Sequence, residues 1–585
     1  MTDHFEVHER DGPARLGEVR LAAPLTTPAL VDEVLEDAGS LWSEDRAVPD
    51  GDESSLTVLP HRAFPGGTPE EVQEAFAVDY PAVEYPSAAV VTPETARKAV
   101  DADPDAYVLS NAQEVAGHAR VFVAAVVRTR EAVPPDTALY LPGVATPANV
   151  ATLAYAGVDL VDTDRAVVEG TRGKYLTVDG EHFLEDLTDL PCACPACQQS
   201  LGAFDREDCT EHNLNALGAA LSTVRERIRA GRLRDYIEGQ ARHENWLTAV
   251  FRRLDQRYAY VEQRTPVLRR ADITAATEDT LRRVEIQRFA DRVTGRYRCR
   301  FDNPLVLVPC SARKPYSESQ SHGQFHDAVQ FRGHTVSMTS PIGVVPQELE
   351  LTYPAQHYDS VVTGRWSPTE RDFVGDILEA YLRRNEYSRV VAHVPEDYRD
   401  ICERVEGQLD REFEYTVEDH PTTTASLSNL ASALSTELKY GKRERQHNTL
   451  RAVADYQFGD EAGDAVFDDL RVESRYPKLR AHDSDGEQLA ALVPQYGVLS
   501  LTLAGARRWV DSEAHTKRVE IDGFVPHGSV LAPGVVAADD SIRVGDEVVV
   551  EGPQAFAVGR AEMSGPEMAA STRGVATQVR HVEEL

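Results

Sequence analysis

Between Cys192 and His212 the chain reads CACPACQQSLGAFDREDCTEH. Three cysteines fall within six residues in the spacing C-x-C-x-x-C, and His212 follows after a further fourteen. Thiolates and an imidazole are the ligands that tetrahedral zinc takes, and Pro195 shapes a knuckle that holds the sulfurs close. Cys192, Cys194, Cys197 and His212 are therefore read as a closed Cys3His set. A closed set is structural, because catalytic zinc keeps one position open. Cys209 is the competing fourth ligand. Any fold for this chain has to bring a tight loop and a residue well downstream of it to one point.

Seven cysteines in 585 residues do not make a disulfide scaffold. The length implies roughly three to five domains. With 42% hydrophobic residues, the chain can bury several cores. Basic residues number 61 and acidic residues 96, which leaves −35. Such a charge argues against nucleic acid as a partner, since affinity there comes from neutralising phosphates with Lys and Arg. A cytoplasm of molar salt shortens the Debye length to about 3 Å and relaxes that argument. The acidic excess, with Arg favoured over Lys, fits a halophile. The N-terminus MTDHFEVHERDG lacks the apolar stretch of a signal peptide. No apolar run is long enough to span a bilayer. A reduced, cytoplasmic protein is expected.

Residues 1 to about 130 mix strand-like runs with a helix near Asn111 to Arg130. From Thr137, ALYLPG reads as a strand, TPANVATLAYAG as a helix stopped at Gly157, and VDLVDTD as the next strand. That alternation predicts a parallel sheet or barrel. Asp159 and Asp162 are expected at its carboxyl end, where barrel catalytic residues sit. Residues 212 to 255 read as helical throughout. Arg225, Arg227, Arg229, Arg232 and Arg234 there form either a phosphate-binding face or a solvated face of i,i+4 pairs.

A second α/β unit begins near Cys299. Its leading stretch is LVLVPCSARKPYSESQSH, Leu305 to His322. Four apolar residues bounded by Pro309 predict a buried strand. Cys310, Lys314, Tyr316, Ser319 and His322 then leave its carboxyl end, where open α/β sheets bind ligands. Further strands are HTVSMTSP and SRVVAHVP. If the sheet is parallel, Cys310, Glu348 and His393 converge on one crevice. Short strands with Gly/Pro turns close the chain, in the pattern of a β-barrel.

Three of these stretches carry resemblances. The GVDLVD strand, the run Arg172–Gly173–Tyr175–Thr177, the CACPAC knuckle and the HNL after it resemble the archaeal tRNA-guanine transglycosylases. Residues 519–585, with Gly528, VLAPGV, VGDEVVV and Gly559, resemble a PUA domain, an RNA-binding barrel. Pro309, Cys310, Lys314, Pro315, Tyr316, Ser319 and His322 match the PC-x3-KPY-x2-S-x2-H signature of the archaeosine synthases, paralogues of those transglycosylases. The implied architecture is multidomain α/β. A trimmed TIM-barrel-like transglycosylase domain with zinc covers 1–265 and a helical connector 266–298. A second α/β catalytic domain covers 299–446, a small α+β domain 447–510 and a C-terminal PUA β-barrel 511–585.

The resemblance implies a substrate tRNA carrying 7-cyano-7-deazaguanine in its D-loop. The ε-amine of free lysine adds to the nitrile and gives an amidine, from which a radical-SAM partner with an iron–sulfur cluster and S-adenosylmethionine releases archaeosine. This sequence has no C-x3-C-x2-C motif, so that later step belongs to another chain. A homodimer is a further expected partnership. Asp162 falls where the transglycosylases place their nucleophile. Yet their DSGAFQ-like and GGL segments are missing, which makes base exchange itself unexpected.

Within this frame Cys310 is the expected nucleophile on the nitrile, activated by Lys314 or His322. His322 shuttles protons, Ser319 is a further expected catalytic residue and Tyr316 stacks on the deazaguanine. Glu348 holds the α-amine of lysine, and Asp162 and Arg313 contact substrate. Direct attack by lysine, with Cys310 only polarising or packing, is the alternative mechanism. A transglycosylase that inserts the nitrile base and a non-catalytic tRNA-binding subunit are the alternative functions.

Overall fold

The computed structural model describes residues 4–361 and 365–585. The chain forms two compact units. One comprises Met1–Pro266, Leu531–Val535 and Met563–Ala576, and the other comprises Val267–Val530, Val536–Glu562 and Thr577–Leu585.

The first unit is built on parallel strand segments at Ala29–Leu30, Leu35–Asp37, Leu56–Val58, Ser87–Val91, Ala106–Leu109, Ala138–Tyr140 and Leu160–Val161. The first two belong to one bent stretch. Its start pairs with Leu160–Val161 and its end with Leu56–Val58, so it links the two edges of one curled parallel sheet through the turn at residues 32–34. The result is a curled, half-barrel sheet of seven parallel strand segments. Residues two apart point inward, as the strand period requires: Leu56 with Val58, Ala88 with Val90, Ala106 with Val108. Small residues, Ala29, Ala88, Ala106 and Ala138, are part of the core on this inner face. An antiparallel hairpin, Phe5–Asp11 with Ala14–Val19, lies at the amino ends of the strands; His4 N–H donates to the Asp105 carboxylate there.

Two expectations change here. Asp159 precedes its strand, so it lies at the amino end and not at the mouth. It is bound by the Arg15 guanidinium, with Nε 3.0 Å from Oδ1, in a pair at most 3% exposed. The segment 212–255 is three helices, Arg206–Arg229, Leu233–Gln240 and Asn245–Asp255. Gly231 breaks it by adopting positive φ (+64°), which glycine tolerates without strain. The arginines therefore do not share a face. Arg229 pairs with Glu226, Arg225 donates to the Pro28 carbonyl, and Arg234 is buried against Glu238 and Asp255.

The second unit holds a five-stranded sheet in the order Gly343–Pro346, His334–Thr339, Leu305–Pro309, Val390–Ala392, Phe413–Tyr415. Leu305–Pro309 is central, and Leu305 to Val308 are fully buried. Burial on both faces explains the unbroken apolar run. Leu305 and Leu307 join the large core beside Pro368–Arg384 and Glu396–Leu409; Val306 and Val308 pack on Gln320–Val329 and Thr424–Ala433. Ser367 and Glu370 form a capping box at the start of Pro368–Arg384. Helix Lys442–Phe458, a four-stranded antiparallel sheet and helix Leu503–Asp511 follow. Strands Arg518–Ile521, Ser529–Leu531, Val535–Ala538, Glu547–Gly552, Ala555–Ala561 and Val575–Glu584 form the six-stranded terminal sheet. Among the described residues, no helix is long and apolar enough to cross a membrane.

Candidate metal centre and active site

Cys192, Cys194, Cys197 and His212 place one ligand atom each within 4.8 Å of one another. The sulfurs of Cys194 and Cys197 are 3.6 Å apart, and His212 Nδ1 lies 3.6 Å and 3.4 Å from them. A tetrahedron with metal–sulfur bonds of about 2.3 Å puts its corners roughly 3.8 Å apart, the scale of these separations, so the group could hold one ion. His212 Nε2–H donates to the Leu176 carbonyl at 2.9 Å, which leaves the Nδ1 lone pair facing the sulfurs. The Tyr175 ring stacks on the imidazole at 3.7 Å and fixes its plane. Helix Arg206–Arg229 delivers His212; an Asp205/Asp208 capping box starts it where the knuckle ends. Cys209, the competing ligand, lies outside the group: it is fully buried, and burial pushes its thiol up to about 11.

Asp162 stands at the mouth of the barrel, 4% exposed. Its carboxylate accepts from Tyr140 OH at 2.7 Å and from the Gly143 amide at 2.8 Å. A cavity of about 340 Å³ opens beside it, with Gly143, Asn149, Arg165, Glu169 and Trp246 in its wall. The carboxylate is engaged by protein donors and serves to hold the turn after strand Ala138–Tyr140.

At the carboxyl end of Leu305–Pro309, the Cys310 amide donates to the Met338 carbonyl and its sulfur turns to Tyr398, 3.5 Å from the hydroxyl. Tyr398 follows the neighbouring strand Val390–Ala392 and touches Trp366, ring to ring, at 4.2 Å. Burial, with Cys310 beside it, holds the Tyr398 phenol protonated. Lys314 Nζ lies 3.7 Å from the centroid of the Tyr358 ring. Burial lowers the Lys314 ammonium from its ordinary value, while Cys310, Asp359 and Asp272 act to keep it charged. Cys310, Lys314, Tyr358, Tyr398 and Trp366 are thus gathered around one strand end. A cavity of about 190 Å³ at the same end is lined by Glu278, Ser340, Trp366 and Glu370.

The other residues of the motif support this end from within. Ser319 caps helix Gln320–Val329 by accepting from the His322 amide at 3.2 Å. Tyr316 is 3% exposed; its ring lies on His322 at 4.8 Å and its hydroxyl meets Tyr358 OH at 2.6 Å. With its face covered by His322, Tyr316 is not placed to stack on a base, contrary to expectation. His322 Nε2–H donates to the Pro309 carbonyl at 3.0 Å, and burial lowers the imidazole to about 4. It is neutral at pH 7 and supplies no positive charge to Cys310.

Three further expectations change. Glu348 does not join Cys310, because Gly343–Pro346 runs antiparallel to His334–Thr339 and carries Glu348 back to the amino end of the sheet. There it is 2% exposed and bound to His334. His393 does sit at a carboxyl end, but it is fully buried between Thr416 Oγ1 and the Pro421 carbonyl. Arg313 is exposed and pairs with Glu318. Tyr398, Tyr358 and Trp366 escaped notice in the sequence. VAHVPEDY carries a strand-end signal of the same kind as LVLVPC, and it would have pointed to Tyr398.

A curled parallel half-barrel with a Cys3His knuckle, an α/β sheet with a strand-end thiol and a terminal β-domain place the chain in a class related to the tRNA-guanine transglycosylases. Family comparisons agree segment by segment: residues 91–245 match queuine tRNA-ribosyltransferase, and 286–434 match a domain of unknown function (DUF5591). Residues 448–515 match the patch-forming domain C2 of tRNA-guanine transglycosylase, and 520–582 match a PUA domain. The chain is 63% identical over 587 residues to the archaeosine synthase of Haloferax volcanii, covering 100% of both chains. It is 41% identical over 634 residues to archaeosine synthase subunit alpha of Methanosarcina acetivorans, again covering 100% of each. The tRNA-guanine(15) transglycosylase of Methanothermobacter thermautotrophicus is 28% identical over 485 residues, covering 79% of this chain and 68% of that one. The chain belongs to the archaeosine synthase family.

Proposed function

We propose that this chain is a tRNA-modifying transferase of archaeosine biosynthesis. It adds the ε-amine of free lysine to the nitrile of 7-cyano-7-deazaguanine in the tRNA D-loop. The Cys3His group holds a structural zinc ion, and a radical-SAM partner completes the conversion. The observation that carries the reading is the strand-end arrangement of Cys310, Tyr398 and Lys314, in a chain of this family.

The chemistry balances within these residues. The Cys310 sulfur attacks the nitrile carbon, a C–S bond forms, and the nitrile nitrogen takes a proton, with Tyr398 OH the donor at hand; the product is a thioimidate. The neutral ε-amine of lysine attacks the same carbon. The C–S bond then breaks, an amine proton returns to the donor, and an amidine is left. Lys314 is the positive group at hand for the attacking sulfur, since His322 is neutral. In place of Glu348, the acidic lining of Glu278 and Glu370 suits the ammonium of the incoming lysine.

The test is purified chain with tRNA bearing the nitrile base and labelled lysine. Label in the tRNA supports the reading; its absence, with the tRNA still bound, favours the tRNA-binding subunit. Incorporation of labelled free base into unmodified tRNA would favour the transglycosylase reading. The sealed Asp162 carboxylate is the reason to expect none.

A further inference from the structure

Eleven residues before Cys310, on the opposite end of the central strand, a second cysteine stands in a polar cluster that the lysine-transfer site does not use. Cys299 Sγ lies 3.5 Å from His334 Nδ1, and His334 Nε2 lies 3.0 Å from Glu348 Oε2. Tyr297 OH donates to the same carboxylate oxygen at 3.1 Å. Tyr387 OH is 2.8 Å from His334 Nδ1 and 2.6 Å from Tyr381 OH. Phe301 covers the imidazole face at 5.1 Å. The Cys299 amide donates to Asn385 Oδ1 at 2.7 Å, which fixes the backbone that carries the thiol.

The topology makes this cluster. His334 opens a parallel strand, and the antiparallel strand Gly343–Pro346 returns Glu348 beside it. Cys299 precedes the central strand and arrives at the same end. His334 and Glu348 are at most 2% exposed, whereas Cys299 is half-buried. A carboxylate so buried needs proton donors, and here they are the imidazole Nε2–H and Tyr297 OH. Holding Glu348 ionised holds His334 protonated. The Nδ1–H then faces the sulfur, and Tyr387 OH stands beside it. This is the order of nucleophile, base and orienting carboxylate that activates a thiol. Burial alone would oppose the charged forms. Cys299 and Glu348 outweigh it at His334, which rises to about 10, and His334 outweighs it at Cys299, whose thiol is lowered. Cys402 is the contrast: buried with no such partner, its thiol is pushed up to about 12.

We propose that Cys299, His334 and Glu348 form a second thiol site, separate from Cys310, whose sulfur reacts with small uncharged electrophiles, peroxide above all. The aromatic surround of Tyr297, Phe301, Tyr381 and Tyr387 and the buried carboxylate exclude anions. With hydrogen peroxide, the sulfur attacks one oxygen, an S–O bond forms and the O–O bond breaks. The departing hydroxide takes the His334 Nδ1 proton and leaves as water. Sulfur is oxidised by two electrons to the sulfenic acid, and the peroxide is reduced. Thiol reductants reverse the change.

The experiment uses the full-length, metal-loaded protein. Hydrogen peroxide at limiting amounts, with dimedone as the sulfenic acid trap, is followed by peptide mass spectrometry. Iodoacetamide rates are read separately at each cysteine. Cys299 is expected to carry most of the dimedone adduct. At pH 7 it should alkylate at least about tenfold faster than Cys402. On the unmodified protein, its rate should climb less steeply from pH 7 to 9 than that of an ordinary thiol, which gains about tenfold per unit below its pKa. His334→Asn should slow Cys299 about tenfold while the rate at Cys310 reports that the fold is kept. A Cys299 rate no greater than that of Cys402, or one that climbs with pH like an ordinary thiol, overturns the proposal. Because the pH profile needs no substitution, a variant that fails to fold leaves the test intact.

Discussion

The Cys310 sulfur lies 3.5 Å from the Tyr398 hydroxyl, joining positions 88 residues apart on the carboxyl ends of neighbouring parallel strands. If that contact delivers the proton to the nitrile nitrogen, Tyr398→Phe lowers kcat for lysine transfer by about a hundredfold and leaves KM for tRNA unchanged. Cys310→Ala abolishes turnover. Without lysine, wild-type enzyme and nitrile-bearing tRNA accumulate a covalent adduct visible by mass spectrometry. Full turnover in Cys310→Ala would assign the attack to lysine directly.

Elemental analysis is expected to find one zinc per chain, because the four ligand atoms define one site. Cys194→Ser and His212→Ala lose it. Chelation lowers the melting temperature of the barrel unit, since the ion cross-links the knuckle to helix Arg206–Arg229. An unchanged melting curve after complete metal removal would show the site to be dispensable for folding.

Burial of neutral His322 makes stability depend on pH. Its folded pKa, about 4, lies below the ordinary 6.5, so the unfolded chain takes up a proton first as pH falls. The stabilisation is complete above about 6.5 and is lost between there and about 4, with a slope approaching 1.4 kcal/mol per pH unit. Urea midpoints across this window read the effect directly. His322→Gln should reduce the slope by about one proton, and an unchanged slope would place the titration elsewhere.

Asp162→Asn keeps the shape of the carboxylate but brings an amide nitrogen against donors. The expected cost is about 1–3 kcal/mol of barrel stability, measured by denaturation, with lysine transfer retained. A thousandfold loss of kcat with stability intact would restore a catalytic role to this position.

Glu278→Gln tests the revised lysine pocket. Loss of one carboxylate at the cavity should raise KM for lysine about tenfold, equivalent to about 1.4 kcal/mol, with kcat preserved. No change in KM would place the ammonium site outside that cavity.

The knuckle and the central strand were legible because their signals are local. Three cysteines in six residues hold one another at metal distance by chain connectivity alone, and His212 needed only a helix of the right length. Leu305 to Val308 announce burial on two faces. Asp162 was found by position, yet its engagement by Tyr140 and Gly143 depends on strand pairing. Glu348 was assigned to the crevice because the sheet was taken as parallel, and Tyr316 because its segment leaves the carboxyl end of the central strand. One antiparallel strand reverses Glu348, and a ring stack on His322 seals Tyr316.

The sequence by itself determined the donor set for a metal, the buried central strand and the thiol that leaves its carboxyl end, because each depends on residues close together in the chain. Only the tertiary structure decided which groups meet that thiol, that the first sheet curls into a half-barrel, and that Cys299, His334 and Glu348 assemble at the other end. Those outcomes rest on strand direction and register, and a change in either moves a side chain to the opposite face or the opposite end of the sheet.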